Sequence, residues 1–432
     1  MSRINLTLFF LFAGLIMLTI QCSVKVNKEP TELSPEQQAS AIRSIDPAYT
    51  DYADLQPLQK AIGNARIVLL GEQTHGEGST FLAKTRIIQF LHESMGFEVL
   101  AFESGFYDCT RIWENTRNGG QLSQEVIGSL FYMYATSKQM QPLFGYIQSK
   151  LTTASPLLVA GFESQHSGAK ARNNMFTDFE TFLQQRDAAM LDQDWDIFKQ
   201  VSLATFAARS YRPKIEEKKI FFNKLEQLKR TLPTIGETSV NSFFASPGFW
   251  YRVTCSIESQ ALRYWEMVSG NEVSVRDLQM AENLIWLAEK AYPGKKIIVW
   301  AHNAHIAKNT SRFQPIGGAG AGFFASFVPM GATIANHFGV KAYSIGFSAG
   351  EGNYMDYTND QIITVPPRKN ESLEEKLSVG GYENAFVDYR TVKGWWQQFR
   401  VGRLTDFGDI NAVWPGVFDG LFFIRKTFAV DR

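Results

Sequence analysis

The amino-acid sequence predicts an α/β fold, in which a largely parallel central sheet is covered by helices and interrupted by a mostly helical insertion. Two observations support this fold class. Short apolar runs without polar alternation recur along the chain and are followed by helical patterns. This succession is typical of βαβ units whose strands are buried on both faces. Between about residues 170 and 290 the alternation of strand and helix patterns stops, and the sequence is mostly helical in pattern, charged and rich in large aromatic side chains.

The individual elements follow from these patterns in chain order. Two short helical patterns, at 35–45 and 54–63, precede the first strand. The helix after that strand is expected to begin at Ser79 or Thr80 and to end before Gly96, because hydroxyl residues cap helix N-termini and glycine ends helices. A later helix is predicted for "FASFVPMGATIANHFG". The expected strands are "ARIVLLGE", "FEVLAFES", "PLLVAGFESQH", "KKIIVWAHNAH", "KAYSIGFS", "ENAFVDYR" and "GVFDGLFFIRK".

Residues 1–22 have the pattern of a signal peptide rather than of a folded segment. Their apolar core, residues 6–20, is short for a membrane span and suits a secretory signal. Because this core runs into Cys22, we expect an exported lipoprotein that is acylated there and is either anchored to a membrane or periplasmic. Residues 23–50 would then form a linker with an N-terminal helix. Residues 51–432 would form the α/β domain, with the insertion at about 170–290.

The composition indicates a globular protein that does not bind nucleic acid. The 432 residues include 43 basic and 43 acidic side chains, so the formal net charge is zero. Nucleic-acid-binding proteins usually carry a basic excess. Beyond Cys22 the only cysteines are Cys109 and Cys255, which belong to no metal motif; their spacing leaves open whether they pair. Aromatic residues make up 13% of the chain, enough for a large core and for an apolar pocket.

Glutamate or histidine stands at the carboxyl end of four predicted strands. In strand order these residues are Glu72 and His75, Glu103, Glu163 and His166, and His302 and His305. In a parallel sheet such positions meet at one edge, where open α/β folds bind ligands. A histidine beside a carboxylate commonly acts as a general base or acid, so this set of residues predicts an active site. His92 and His337 lie within helical patterns and are expected to be structural or exposed.

Three stretches resemble the erythromycin esterase family: "LGEQTHGEGSTFLAKTRIIQFLHESMGFEVLAFES", "WAHNAH" and "PMGATIANHFGVKAYSIGFSAGEG". The similarity spans about residues 66–166 and 296–352. It implies that water, activated by a histidine general base, hydrolyses the lactone ester of a macrolide and so inactivates the antibiotic, without an obligatory metal or cofactor. The family often has arginine where this chain has Lys84, and relatives commonly show Gly-Phe-Asp where it has Gly-Phe-Glu at 161–163. Both departures bear on the substrate.

The resemblance also assigns roles to the residues at the strand ends. His75 matches the catalytic histidine and Glu72 the first glutamate, so we expect Glu72 to orient His75 as it takes a proton from water. Glu103 and His302 complete the catalytic set, and Lys84 or His302 is expected to stabilise the oxyanion. The residues expected to bind the substrate are His305, Glu163 and His166.

Three alternatives remain open at this point. The substrate could be another ester, such as a component of the cell envelope or of a polysaccharide. The protein could be a metal-dependent hydrolase that uses nitrogen and oxygen ligands from the strand ends. It could also be a lipoprotein that binds haem or another small ligand in a histidine-lined apolar pocket rather than an enzyme. The candidate metal ligands in the second case are His75, Glu103, His302 and His305.

Overall fold

A nine-stranded sheet lies at the centre of the computed structural model, which describes residues 33–236, 242–266, 272–318 and 320–432, without the side chains of 272 and 273. The strands are β1 (Ser40–Ala41), β2 (Ile67–Leu70), β3 (Phe97–Gly105), β4 (Leu158–Glu163), β5 (Lys296–Trp300), β6 (Gln314–Pro315), β7 (Ala342–Asp356), β8 (Gln361–Thr364), β9 (Asn384–Asp388), β10 (Arg400–Gly402), β11 (Ile410–Ala412) and β12 (Gly420–Thr427). Strands β6, β10 and β11 form a separate small sheet.

The order across the large sheet is β1-β9-β12-β7-β2-β5-β3-β4, and β8 pairs with the end of β7. All neighbours from β12 to β4 are parallel, whereas β9, β1 and β8 pair in antiparallel fashion. The prediction of a largely parallel sheet is therefore confirmed. Strands β2, β5, β3 and β4, whose ends carry the predicted site residues, are neighbours in the sheet.

Both faces of the central strands are buried, which explains why their sequences show no polar alternation. In β2, Ile67 and Leu69 point into one apolar core, and Val68 and Leu70 point into the other. Strands β3 and β5 divide their side chains in the same way. Side chains alternate between the two faces of a strand, so a strand covered on both sides must be apolar at every position.

Helices cover the two faces. They are α1 (Gln56–Ile62), α2 (Gly78–Met95), α3 (Phe106–Arg117), α4 (Leu122–Glu125), α5 (Tyr132–Thr136), α6 (Gln141–Lys150), α7 (Ala169–Arg186), α8 (Gln193–Ala207), α9 (Ile215–Thr231), α10 (Pro247–Trp265), α11 (Glu272–Trp286), α12 (Asn303–Ile306), α13 (Ala321–Ser326), α14 (Met330–Phe338) and α15 (Leu373–Val379). Helices α7 to α11 belong to the predicted helical insertion, and their aromatic side chains join the core on one face of the sheet. Phe179 and Trp250, for example, stack with ring centroids 4.4 Å apart.

Helix α2 begins and ends close to where the sequence predicts. Gly96 follows its last turn in the left-handed conformation at φ 69°, as expected for a glycine that ends a helix. The N-terminus differs, because the residue before the first turn is Glu77, which makes no capping hydrogen bond. Ser79, one of the two predicted caps, is buried inside the helix and hydrogen-bonds the Thr427 hydroxyl.

Two predicted helices take another form. Residues 35–45 do not form a helix; a 3-10 turn at Glu36–Gln38 is followed by strand β1, which pairs with β9. The stretch "FASFVPMGATIANHFG" is divided between α13 and α14. The break falls at Pro329, because proline lacks the N–H that a continuous helix requires.

The predicted signal peptide and Cys22 lie outside the described residues, so export and acylation stay predictions. Residues Ser34–Arg432 form one compact unit. Within the described ranges, no helix is long and apolar enough to cross a membrane. Cys109 and Cys255 are free thiols, the first buried and the second partly buried.

Candidate active site

A cavity of about 890 Å³ opens at the carboxyl edge of the sheet. Five of the predicted site residues line it, namely His75, Glu103, Glu163, His302 and His305. They meet there because β2, β5, β3 and β4 are adjacent and parallel, so the segments that follow these strands emerge side by side. A volume of this size accommodates a drug-sized ligand.

His75 is the best placed of these residues to act as a base. Its Nδ1 lies 2.6 Å from Glu72 Oε1, so Nδ1–H donates to that carboxylate. This bond leaves Nε2 as the basic nitrogen, and no residue in the described ranges hydrogen-bonds to it. The ring lines the cavity and packs edge-on against Phe131 and Tyr357, at centroid distances of 4.8 and 4.9 Å.

Glu72 lies behind His75 and is fully buried. Besides His75, its carboxylate accepts hydrogen bonds from the Tyr134 hydroxyl at 2.6 Å and from Lys84 Nζ at 3.0 Å. Burial raises the pKa of Glu72, but the Lys84 ammonium and the other two donors outweigh it and lower this pKa to about 2. Glu72 therefore stays charged and fixes the tautomer and the orientation of His75 without touching the cavity.

Lys84 is not where an oxyanion could reach it. Its side chain is fully buried, does not line the cavity, and places Nζ 4.0 Å from the centroid of the Trp300 ring. Burial lowers the pKa of Lys84 to about 8, although Glu72 opposes this shift. The expectation that Lys84 stabilises the oxyanion does not fit this position, and the lysine instead holds Glu72 in place.

His302 uses both of its ring nitrogens within the protein. Nδ1 accepts a hydrogen bond from the Ala304 amide at 3.1 Å and so caps α12, and Nε2–H donates to the Gln73 carbonyl at 2.6 Å. Burial lowers the pKa of His302, but Asp406, whose carboxylate lies 3.5 Å from Nε2, makes the net shift upward. Protonation would break the cap at Ala304. In this arrangement His302 has no N–H left to donate to an oxyanion.

Glu103 and Glu163 are joined by Arg276, a residue that no motif or periodicity of the sequence indicates. This arginine comes from α11 of the insertion and ion-pairs with Glu103 at 2.9 Å and with Glu163. Burial raises the pKa of each glutamate. Arg276, together with His305 in the case of Glu103, reverses this effect, and both pKa values fall below the ordinary range. Arg276 thus ties the insertion to the ends of β3 and β4.

His305 lies beside this cluster and is held between two carboxylates. Nδ1 is 2.8 Å from Asp277, and Nε2 is 3.2 Å from Glu103. Burial lowers the pKa of His305, but Asp277 and Glu103 outweigh it and raise this pKa to about 10. Nε2 is also 2.8 Å from Arg276 Nη1, which would suit a neutral ring. We favour the imidazolium, because a cluster with three carboxylates and one guanidinium lacks positive charge.

His166, predicted to bind the substrate, does not line the cavity. It is fully buried, its ring packs against Phe206 at 5.1 Å, and neither ring nitrogen has a hydrogen-bond partner within the described ranges. Burial lowers its pKa to about 4. The helical histidines are structural as expected, because His92 hydrogen-bonds Tyr146 at 2.7 Å and His337 pairs with Glu289 at 2.6 Å.

Part of the cavity wall is apolar, in agreement with the expectation of a pocket that contains aromatic side chains. The apolar and aromatic lining residues are Leu130, Phe131, Tyr132, Pro315, Ile316, Phe323, Phe324, Phe327, Tyr357 and Ile410. Asp406 and Asp409 belong to one loop that also lines the cavity. Asp406 and Phe407 have φ values of 45° and 55°, a conformation that residues other than glycine rarely adopt and that is frequent at functional sites. The turn-forming sequence "TDFGD" is the one local signal that could have indicated this loop.

One motif of serine hydrolases is also present, in an unsuitable place. The sequence Gly-Phe-Ser-Ala-Gly at 346–350 matches Gly-x-Ser-x-Gly, which forms a sharp turn between strand and helix in those enzymes. Here it lies inside β7, and the buried Ser348 hydroxyl donates to Glu374. It is not a nucleophile elbow.

The sequence also matches a family of esterases and proteins that are named as hydrolases. A model of the erythromycin esterase family matches residues 92–427. The chain is 28% identical over 372 residues to the Bacillus subtilis protein YbfO, which carries the provisional name of a hydrolase, covering 81% of this chain and 80% of the relative. It is 25% identical over 407 residues to an Escherichia coli protein named erythromycin esterase type II, covering 87% and 93%.

Solved structures share the fold. A structure described as a succinoglycan biosynthesis protein has a TM-score of 0.73 at 20% identity and covers 91% of this chain and 96% of its own. A Bacillus cereus protein gives the same TM-score and coverage at 21% identity. A mutant of the erythromycin esterase EreC in its open conformation has a TM-score of 0.68 at 16% identity and covers 90% of this chain and 98% of its own.

Proposed function

The chain is a hydrolase that belongs to the erythromycin esterase family, and we propose that the bond it cleaves is a carboxylic ester, with His75 as the general base. The observation that carries this proposal is the 2.6 Å contact between His75 Nδ1 and Glu72, which leaves Nε2 as a base at the wall of the cavity. A base placed within reach of a water molecule and of the substrate is what ester hydrolysis requires.

In the proposed reaction, His75 Nε2 takes a proton from water as the water oxygen attacks the ester carbonyl. The carbonyl π electrons move onto oxygen and give a tetrahedral oxyanion, and the resulting imidazolium is stabilised by Glu72. The oxyanion then collapses, the C–O bond of the ester breaks, and His75 returns the proton to the leaving alkoxide. General-base assistance of this kind contributes on the order of 10²–10⁴-fold.

The oxyanion needs donors other than Lys84 and His302. Among the described residues that line the cavity, Arg276 and the imidazolium of His305 are cationic and adjacent to Glu103. Arg276 donates Nε and Nη2 to carboxylates, whereas Nη1 has no carboxylate partner in the described ranges. We therefore assign oxyanion stabilisation to Arg276 Nη1, with the positive charge of His305 beside it. One well-placed donor of this kind lowers the barrier by roughly 3–4 kcal/mol.

A macrolide lactone is the first candidate substrate. The family and the E. coli relative support it, and a cavity of about 890 Å³ that is partly lined by aromatic side chains suits a large apolar ring. The test is incubation of the purified protein with erythromycin, followed by mass spectrometry. We expect a product heavier than erythromycin by one water. If the protein hydrolyses simple esters but not erythromycin, it is an esterase with another natural substrate. If it hydrolyses neither, the proposed function is wrong.

We predict that this hydrolysis is independent of a bound metal ion. No group of three or more His, Cys, Asp or Glu side chains in the described ranges is arranged to hold one. His75 Nδ1, both nitrogens of His302 and Nδ1 of His305 already have protein partners. Turnover should therefore change less than about twofold after exhaustive dialysis against a chelator, whereas a loss that only added zinc restores would favour the metal-dependent alternative.

A further inference from the structure

Arg263, on α10 of the insertion, lines the cavity, and its Cζ lies 6.0 Å from the centroid of the Tyr264 ring. Its Nε and Nη1 atoms are buried and have no hydrogen-bond acceptor within the described ranges, and it forms no ion pair there. Arg276 differs, because it lines the same cavity and its Nε and Nη2 atoms donate to Glu163 and Glu103. Arg263 is thus available to a group that enters from the cavity.

The side chain of Arg263 is only partly buried, but two of its guanidinium nitrogens are shielded from solvent without an acceptor. This is costly and indicates that something else pairs with them. Buried charges in proteins are normally matched by a counter-charge or by hydrogen bonds. Burial lowers the pKa of Arg263, and the nearby charge of Arg276 lowers it further, although the charge of Glu163 opposes both shifts. Both effects would be relieved by an anion in front of the guanidinium.

The surroundings favour a singly charged anion. Four carboxylates line the same cavity, those of Glu103, Glu163, Asp406 and Asp409. Three cations, Arg263, Arg276 and His305, line it as well, so the lining has one more negative than positive charge. A dianion such as a phosphate monoester would meet about twice the net repulsion that a carboxylate meets, because Coulomb energy scales with charge. A carboxylate also matches the planar N–H fork of a guanidinium.

We propose that Arg263 binds a carboxylate of the substrate, so that the enzyme prefers esters that carry a second, free carboxylate over uncharged esters. This inference rests on the proposed ester hydrolysis and not on the macrolide as substrate. It points to the half-esters of dicarboxylic acids and to esters of acidic saccharides, and it places the specificity of the enzyme on the insertion rather than on the sheet.

The test compares p-nitrophenyl hydrogen adipate with its methyl ester, p-nitrophenyl methyl adipate, which differ by one negative charge. For the unmodified protein we expect kcat/KM to be at least about tenfold higher for the acid, because hydrogen bonds to charged groups have effects of this size. In Arg263→Gln this ratio should fall to near 1, and Arg263→Lys should retain part of it. Because both esters are measured with the same protein sample, a variant that is partly unfolded lowers both kcat/KM values equally and leaves their ratio unchanged.

Arg252→Gln is the matched control, since Arg252 lies on the same helix, pairs with the exposed Glu282 and does not line the cavity. It should keep the ratio of the unmodified protein. Monomethyl adipate should inhibit hydrolysis more strongly than inorganic phosphate, and the reverse order would overturn the assignment to a carboxylate. If both esters are cleaved equally and with dependence on His75, the inference is wrong and the esterase stands. If neither ester nor erythromycin is cleaved, the proposed function itself fails.

Discussion

Replacing His75 with asparagine is expected to lower turnover by at least about 10²-fold, the low end for loss of a general base. Asparagine is close in size and can still donate to Glu72, but it has no basic nitrogen to take a proton from water. The substrate should bind almost as before, because the base acts mainly in the transition state, so kcat should fall while KM changes little. The measurement is steady-state hydrolysis of an ester that the unmodified protein cleaves.

The control for this prediction is His337→Asn. His337 lies on α14, is partly exposed and pairs with the exposed Glu289, so its loss should leave turnover within about twofold. His92 is a poorer control, because it is buried and hydrogen-bonded to Tyr146, and its replacement would also affect stability. A His75→Asn protein that is folded by circular dichroism and keeps more than a tenth of normal turnover would rule out the mechanism proposed here.

The second large effect is expected for Arg276→Met, in which the side chain keeps much of its length but loses its charge. Glu103 and Glu163 would then be buried without their guanidinium partner. Breaking a buried ion pair by removing one partner costs about 3–5 kcal/mol, since the remaining charge is left uncompensated. We expect the free energy of unfolding at pH 7, measured in urea, to fall by this amount, with the helical insertion loosened from the sheet.

This loss should depend on pH in a definite direction. Arg276 holds the pKa of Glu163 below its ordinary value in the folded protein, so its contribution is present above the unfolded pKa, about 4.3, and disappears as the pH falls through the folded pKa. The difference between Arg276→Met and the unmodified protein should therefore be largest near pH 7 and smaller at pH 4. Arg252→Met, which breaks an ion pair with the exposed Glu282, should cost less than about 1 kcal/mol at either pH. If the two variants lost the same free energy of unfolding, the ion pairs of Arg276 with Glu103 and Glu163 would not stabilise the protein more than an exposed ion pair does.

The strands and the edge at which the site lies could be predicted because their signals are local. Strands β2, β3, β4 and β5 are apolar at almost every position, since both faces of the sheet are covered, and a run of that kind can be recognised without its neighbours. Parallel strands then require their carboxyl ends to lie together. Glu72 and His75 are also only three residues apart, so their contact could be inferred directly.

The partners of these residues depend on contacts between distant parts of the chain, and those could not be predicted. Arg276 meets Glu103 across 173 positions, and Tyr134 meets Glu72 across 62. No periodicity or motif encodes such a distance, because it follows from how the insertion packs against the sheet.

Tertiary structure also decided which predicted residues face the cavity. The sequence by itself determined that a parallel sheet brings glutamates and histidines to one edge, because apolar runs and strand ends are local properties. It did not determine that Lys84 points inward to Glu72, that His166 packs against Phe206, or that Arg263 is left unpaired at the cavity wall. The direction of a side chain after a strand ends is set by packing and by charge compensation with elements that arrive from elsewhere in the chain.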